Sequence, residues 1–112
     1  MDEPRLKTAI WVSMAVRRAD QLGQSGMVLR RGDADAGGVL AVLRNRAGEM
    51  VVLTQARTAD GRHAWRRGTG DTPVDQQAVD AYVARQVGRD PDLWVVEFDT
   101  PDFAPPFETI IV

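Results

Sequence analysis

The most chemically suggestive stretch of the sequence is DADAG, residues 33–37, which follows the basic pair Arg30 and Arg31. Alternating carboxylates before a glycine are typical of the first half of a calcium loop, where oxygen ligands converge on a hard cation. The later positions do not fit, because the fifth falls on Gly37 and the twelfth, normally a bidentate glutamate, falls on Arg44. We therefore expect no metal at this loop.

Three other interpretations of the loop stay open. Arginine forks and carboxylates on a glycine-shaped loop could receive a charged side chain or a phosphate. This hypothesis assigns binding to Arg30, Arg31, Asp33, Asp35 and Gly37, within a recognition loop from Arg30 to Gly38. The alternative is a small enzyme or ligand-binding domain in which Asp33, Asp35 and the two arginines handle an anionic ligand or a cation. In the enzymatic form Asp33 or Asp35 is a carboxylate base and the arginines hold an anionic substrate. The third interpretation is a structural turn, in which the loop's charges pair with one another.

Other catalytic groups are few. His63 is the single histidine and the sequence contains no cysteine, so neither a multi-histidine nor a thiolate metal site is expected. Ser13 and Ser25 lack the glycine pattern of a nucleophile elbow, and the glycines lack the spacing of phosphate or dinucleotide loops. We expect no cofactor, and the sequence favours a non-catalytic binding or accessory protein over an enzyme.

The charge balance argues against nucleic-acid binding. Lysine and arginine number 14 against 16 acidic residues, which gives a net charge of -2 and no global positive field. The doublet at Arg66 and Arg67 is predicted on a strand, where successive side chains point to opposite faces, and Trp65 beside it is predicted to be core. No apolar run reaches the roughly 20 residues that span a bilayer. The N-terminal MDEPRLK does not resemble a signal peptide, so we expect a cytoplasmic protein without membrane contacts.

Two segments show the apolar spacing of amphipathic helices. The first runs from Ala9 to Leu22, with Gly23 placed to end it and Thr8 as a candidate N-cap. The second follows TPVD, residues 72–75, in which Thr72 would be the N-cap and the proline the first helical residue. Gly88 is placed to end this second helix.

Five short apolar runs predict strands: Met27–Arg31, Val39–Leu43, Met50–Thr54, His63–Arg67 and Leu93–Phe98. The dipeptide Asp60-Gly61 is the strongest hairpin signal in the chain, so the first four runs predict a mostly antiparallel meander. The fifth run is apolar on both of its faces, which is typical of a central strand.

Together these elements predict a single α+β domain over residues 1–98: a helix, a four-strand meander, a second helix and a returning central strand, with both helices on one face. Residues 99–112 contain three of the six prolines and end in three apolar residues. We expect this extended tail to pack on the domain or on a partner. A homodimer through Ile10 and Met14, or through the tail, is one candidate assembly; another protein is the alternative partner.

Three blocks of the sequence, Arg5–Ser13, Leu29–Gly37 and Asp90–Glu97, are similar to the short alphaproteobacterial proteins of the domain of unknown function 1491 family. The resemblance spans about Arg5 to Phe98 and leaves the tail outside. It implies no activity, cofactor, partner or catalytic residue. It does place the residue 33–37 loop within one of the family's signature blocks.

Overall fold

The computed structural model describes residues 6–112. Its elements in chain order are α1 (Thr8–Gln21), β1 (Gly26–Arg30), β2 (Val39–Arg44), β3 (Met50–Arg57), β4 (His63–Arg67), α2 (Gln76–Arg89) and β5 (Trp94–Asp99). The prediction of a cytoplasmic protein depends partly on the acidic N-terminal sequence. Residues 1–5 of that sequence lie outside the part of the chain that the structure describes. No helix of residues 6–112 is long and apolar enough to cross a membrane.

The five strands form one mixed sheet in the order β1-β5-β2-β3-β4. β5 runs parallel to β2 and antiparallel to β1, and the remaining neighbours are antiparallel. The α+β class and the returning central strand are confirmed. The four-strand meander is wrong in one respect, because β5 separates β1 from β2 and only β2, β3 and β4 form a meander. β5 takes this interior place because both of its faces are apolar and need cover.

The two helices lie on opposite faces of the sheet, so the expectation that both cover one face is wrong. α1 contributes Val12, Ala15 and Ala19 to a core on one face, and α2 contributes Val79 to a core on the other. Successive residues of β2 alternate between these two cores. Strands β2, β3 and β5 each begin with at least three consecutive buried residues, and such strands require a layer on both sides.

α1 ends as the sequence predicts. Gly23 has a φ of 72°, and its N–H donates to the carbonyl of Asp20 at 3.1 Å. The N–H of Gln24 donates to the carbonyl of Ala19 at 2.8 Å, which completes a Schellman motif. At the other end, the N-cap is Lys7, and its side chain makes no capping hydrogen bond. Thr8 is the first helical residue rather than the cap.

α2 begins three residues later than TPVD predicts. Asp75 is the N-cap, and its carboxylate accepts the N–H of Ala78 at 2.9 Å. Thr72 does not cap the helix, because Val74 exchanges two backbone hydrogen bonds with Met50, at 2.8 and 2.9 Å, and holds the preceding chain extended. The helix also continues through Gly88 to Arg89.

The C-terminal residues lie against β4. Phe107 contacts the rings of Trp11 and Trp65, with centroid separations of 5.1 and 5.0 Å. The carbonyl of Ile110 accepts the N–H of Trp65 at 2.7 Å, and the N–H of Val112 donates to the Trp65 carbonyl at 2.9 Å. This segment therefore lies along the outer side of β4 as a short parallel addition to the sheet.

Candidate functional site

The loop of residues 31–38, called the aspartate loop below, connects β1 to β2 and is closed by its own hydrogen bonds. The Asp33 carboxylate accepts the N–H of Ala36 at 2.9 Å. The Asp33 carbonyl accepts two donors, the N–H of Gly37 at 3.2 Å and the indole N–H of Trp94 at 2.8 Å. Asp33 therefore acts as a turn residue whose carboxylate stabilises the loop itself.

The aspartate loop is also pressed against the chain that leads into β5. The N–H of Asp33 donates to the carbonyl of Asp92 at 2.9 Å. A Cβ atom on either Gly32 or Gly37 would overlap that same carbonyl oxygen. Both glycines are therefore needed for a close approach between two backbone segments, and Gly37 is buried by it.

The third contact of the aspartate loop is with the start of α1. The carbonyl of Ala34 accepts the N–H of Ala9 at 3.0 Å, and the carbonyl of Asp35 accepts the N–H of Thr8 at 3.3 Å. The Thr8 hydroxyl donates to the carbonyl of Gly37 at 2.7 Å. The loop thus satisfies helix donors that the Lys7 side chain leaves uncapped. The three sequence blocks that resemble the family meet at this one junction.

The charged residues around the loop divide into two groups. Arg30 points inward, where its Nη1 atom donates to the carbonyls of Pro91 and Leu93 at 2.8 and 2.7 Å. Arg31 is exposed, and its guanidinium lies 4.8 Å from the centre of the Trp94 ring. The Asp35 carboxylate lies 3.8 Å from the Lys7 ammonium, and both side chains are exposed.

The five residues assigned to binding are therefore close in space but do not converge on a common cavity. Arg30, Asp33 and Gly37 use their polar groups within the junction, whereas Arg31 and Asp35 face solvent. Neither aspartate lines either of the two grooves described below. Among residues 6–112 no three histidine or acidic side chains lie close enough to hold a metal ion together.

The other residues considered for chemistry are dispersed. His63 is exposed at the start of β4, opposite Arg57 of β3. Trp65 is buried, which confirms its prediction as core and leaves its ring covered by Trp11 and Phe107. The ring is therefore not presented to solvent beside Arg66.

A groove that the sequence did not reveal lies between α2 and β1, on the face of the sheet that α2 covers. Its volume is about 320 Å³. The walls are mainly aliphatic, and the polar residues are Arg30, Gln76, Asp80 and Glu97. We call it the β1 groove; its aliphatic lining is Leu29, Val42, Val79, Val83, Ala84, Val87 and Val95.

The strand beside this groove, β1, is one of the two edge strands of the sheet and carries exposed apolar side chains. Met27 is 58% exposed and Leu29 is 51% exposed, whereas Val28 between them packs against the core under α1. Met27 pairs with Glu97, and Glu97 and Leu29 both line the groove, so Met27 and Leu29 lie on the groove side. A bulge between Val28 and Arg30 allows Leu29 and Arg30 to share that side. We define the β1 surface as Met27, Leu29 and the β1 groove. Its lining is mainly aliphatic.

A second, more polar concavity of about 330 Å³ lies where the parallel strands β2 and β5 end. Its lining includes Arg44, Asp99 and Thr100. Arg44 is already bound, with its Nη2 atom 2.6 Å from the Gln76 amide oxygen and 3.3 Å from the Glu97 carboxylate. Arg44, one of the two arginines that line this concavity, is therefore engaged with other side chains; the other is Arg46.

The sequence model of the DUF1491 family, whose description is "Protein of unknown function", matches residues 6–108. The chain belongs to the DUF1491 family. The match extends past Phe98, so the expectation that the tail lies outside the family resemblance is wrong for residues 99–108. The contact of Phe107 with Trp11, Trp65 and Phe98 gives the physical reason, since this part of the tail completes the core.

Solved DUF1491 structures share this fold. A crystal structure of a family member from Caulobacter crescentus is 33% identical with a TM-score of 0.85, and the alignment covers 96% of this chain and all of that one. An NMR structure of a Caulobacter crescentus family member is 32% identical, with a TM-score of 0.84 and coverage of 98% and 99%. A solution structure of a protein from A. tumefaciens, 24% identical, matches in fold with a TM-score of 0.80 over 97% and 98% of the two chains. No curated protein matches the chain.

Proposed function

We propose that this DUF1491 protein is a non-catalytic protein-binding module whose recognition surface is the β1 surface. The observation that carries the proposal is the pair of exposed apolar residues, Met27 and Leu29, on an outer strand beside an aliphatic groove. Exposed apolar side chains that adjoin a groove are typical of binding surfaces, whereas scattered ones are not.

The backbone of β1 supports the same proposal. Among residues 6–112, β1 pairs with β5 and with no strand on its other side. An edge strand presents unpaired N–H and C=O groups, and proteins commonly protect such edges with lysine or proline. The sequence of β1, GMVLR, contains neither, and its one irregularity is a bulge between Val28 and Arg30, near its C-terminal end. An extended segment of a partner could therefore pair with β1 while its side chains enter the β1 groove.

In this proposal the aspartate loop acts mainly as a support. Arg30 forms one wall of the β1 groove and is held there by the carbonyls of Pro91 and Leu93. Asp33 and Gly37 fix the end of β1 through the junction with α1 and β5. Arg31 and Asp35, whose side chains are exposed, supply charge at the rim.

Other apolar surfaces fit a partner less well. Ile10 and Met14 are exposed on the outer side of α1, and Ile110 to Val112 lie on β4 with exposed side chains. A homodimer through either surface is a competing hypothesis, but none of these five residues lines either of the two grooves. We propose no enzymatic role, because Asp33 and Asp35 lie outside both grooves.

Selection from a displayed library of random seven-residue peptides tests the proposal. We expect the wild-type protein to enrich apolar peptides that shift the backbone NMR signals of residues 26–30 and of α2. Leu29→Glu should abolish their binding, and Met14→Glu, a matched change at another exposed apolar residue, should not. Enriched peptides that shift only α1 would reject the β1 surface as the recognition site, as would the absence of any enriched peptide when the protein is held below the concentration at which it self-associates.

A further inference from the structure

We propose that the partner of the β1 surface is a second copy of this chain. This inference rests on the proposed function, and it specifies antiparallel pairing of the two β1 strands across a two-fold axis. The two five-stranded sheets then join into one continuous sheet. A two-fold interface uses the same patch on both copies, so the patch must be complementary to itself.

The side chains of β1 meet this requirement. If the axis passes beside Val28, which directly precedes the bulge of β1, Met27 of each copy lies next to Leu29 of the other. Both residues lie on the groove side of the sheet, so the two apolar pairs cover each other and lie between the two grooves. Each copy supplies the apolar cover that the described residues of the other copy lack.

The charges around β1 are also self-complementary. Its C-terminal end carries Arg30 and Arg31, whereas the fold brings acidic residues close to its N-terminal end. Asp99 lies beside that end, since its N–H donates to the carbonyl of Ser25 at 3.0 Å. The backbone of α1 at Val16 lies next to Gly26, since a Cβ on Gly26 would be 3.2 Å from the Val16 Cα. Asp20 follows one helical turn later on the same side of α1, so it also lies on the side nearest β1.

Antiparallel pairing brings the opposite charges together. With the axis beside Val28, the Arg31 end of one β1 lies beside the Ser25 end of the other, and the bulge between Val28 and Arg30 shifts the pairing there by one residue. Arg31 stacks on Trp94, which belongs to the core under α1, so Arg31 and Asp20 lie on the same side of the sheet. The two-fold axis therefore forms the Arg31–Asp20 pair twice. A second copy thus satisfies both the apolar and the charged parts of the surface.

Two further features favour a closed dimer. The opposite edge of the sheet, β4, already pairs with Ile110 and Val112 of its own chain, so within residues 6–112 β1 is the edge left for pairing. The guanidinium of Arg30 is bound to carbonyls next to β5, and it therefore does not lie across the outer side of β1. A symmetric β1 contact uses that edge in both copies and closes the assembly at two chains.

Sedimentation and light scattering over a concentration series test the inference. We expect wild type to have twice the 12.3 kDa mass of the chain, and Leu29→Glu to have the mass of one chain while its circular dichroism spectrum stays unchanged. Met14→Glu is the matched control and should remain a dimer. Amide exchange at residues 26–30 should also slow as the wild-type concentration rises, which checks the interface without any substitution.

A charge-swap cycle tests the register. Arg31→Glu and Asp20→Lys should each raise the dimer dissociation constant by roughly tenfold, and the double variant should recover most of that loss. Single changes that act without recovery would overturn this register. A wild-type protein that stays monomeric at millimolar concentration would overturn the dimer, as would a dimer that Leu29→Glu leaves intact. If peptides selected on β1 still bind to such a monomer, the proposed function stands and only its self-association fails.

Discussion

The two edges of the sheet solve the same physical problem in different ways. At β4, the chain's own C-terminal residues pair with Trp65, and Phe107 covers the ring of Trp65. On the outer side of β1, the described residues supply neither a backbone partner nor a cover for Met27 and Leu29. The closed edge shows that this fold can protect a strand with a short segment. The exposure of β1 is therefore a feature of the surface that we propose binds a partner.

The first way to break this comparison is to release the end of β1 from β5. Gly32→Ala places a Cβ against the backbone carbonyl of Asp92, and backbone cannot move aside as a flexible side chain can. We expect a loss of about 3–5 kcal/mol in the free energy of unfolding, measured by urea denaturation.

The control for Gly32 is a glycine with open space around it. A Cβ on Gly88, inside α2, would meet no atom within 4 Å. Gly88→Ala should therefore stabilise the protein by about 0.5–1 kcal/mol, because alanine loses less conformational freedom in a helix. If Gly32→Ala is as stable as wild type, the loop can move away from Asp92 and the junction does not hold the end of β1.

The next change weakens the cover of the closed edge. Phe107 contacts Trp11, Trp65 and Phe98, with ring centroids 5.0 to 5.9 Å apart. Because Phe107 is half-buried, Phe107→Ala should cost about 2–3 kcal/mol, somewhat less than for a fully buried ring. Leu22→Ala, at an exposed position, should change stability by less than about 0.5 kcal/mol. Equal effects of the two substitutions would contradict a role of Phe107 in closing β4.

A smaller change makes the closed edge resemble the open one. Deleting residues 110–112 removes two backbone hydrogen bonds to Trp65, which should cost about 1–2 kcal/mol. It also exposes β4, so each copy would have two open edges and could form chains longer than dimers. We expect light scattering to detect particles larger than those of wild type. A shortened protein with unchanged size would indicate that β4 is protected by something other than this segment.

The sequence predicted the fold better than the site. His63–Arg67 was predicted with its observed bounds, because a strong hairpin signal precedes a short run with few alternatives. The prediction that both helices cover one face of the sheet was wrong, because apolar periodicity identifies the buried side of a helix but not the sheet face that it covers. The buried runs in β2, β3 and β5 did contain that information.

The candidate site was missed for two physical reasons. The exposure of Met27 and Leu29 depends on β5 inserting between β1 and β2, a pairing of segments that are about 70 residues apart. The aspartate loop attracted attention because of its charges, but its main contact is with the backbone carbonyl of Asp92, which side-chain composition cannot reveal. The aspartate loop therefore stabilises the fold, whereas the five residues of β1 form the more exposed apolar surface.

The smallest expected effect concerns the turn that leads into β4. Asp60 accepts hydrogen bonds from Thr58 and Arg62, and these bonds lower the pKa of its carboxyl group below the ordinary value. A group whose pKa is lower in the folded state adds stability above its unfolded pKa and loses it as the pH falls through the folded value. Wild type should therefore lose slightly more stability than Asp60→Asn on acidification, as measured by thermal unfolding between neutral and strongly acidic pH. Thr58→Val, which removes the principal donor, should reduce this difference in part. Parallel pH profiles for wild type and Asp60→Asn would mean that the Asp60 carboxylate does not stabilise the turn that precedes β4.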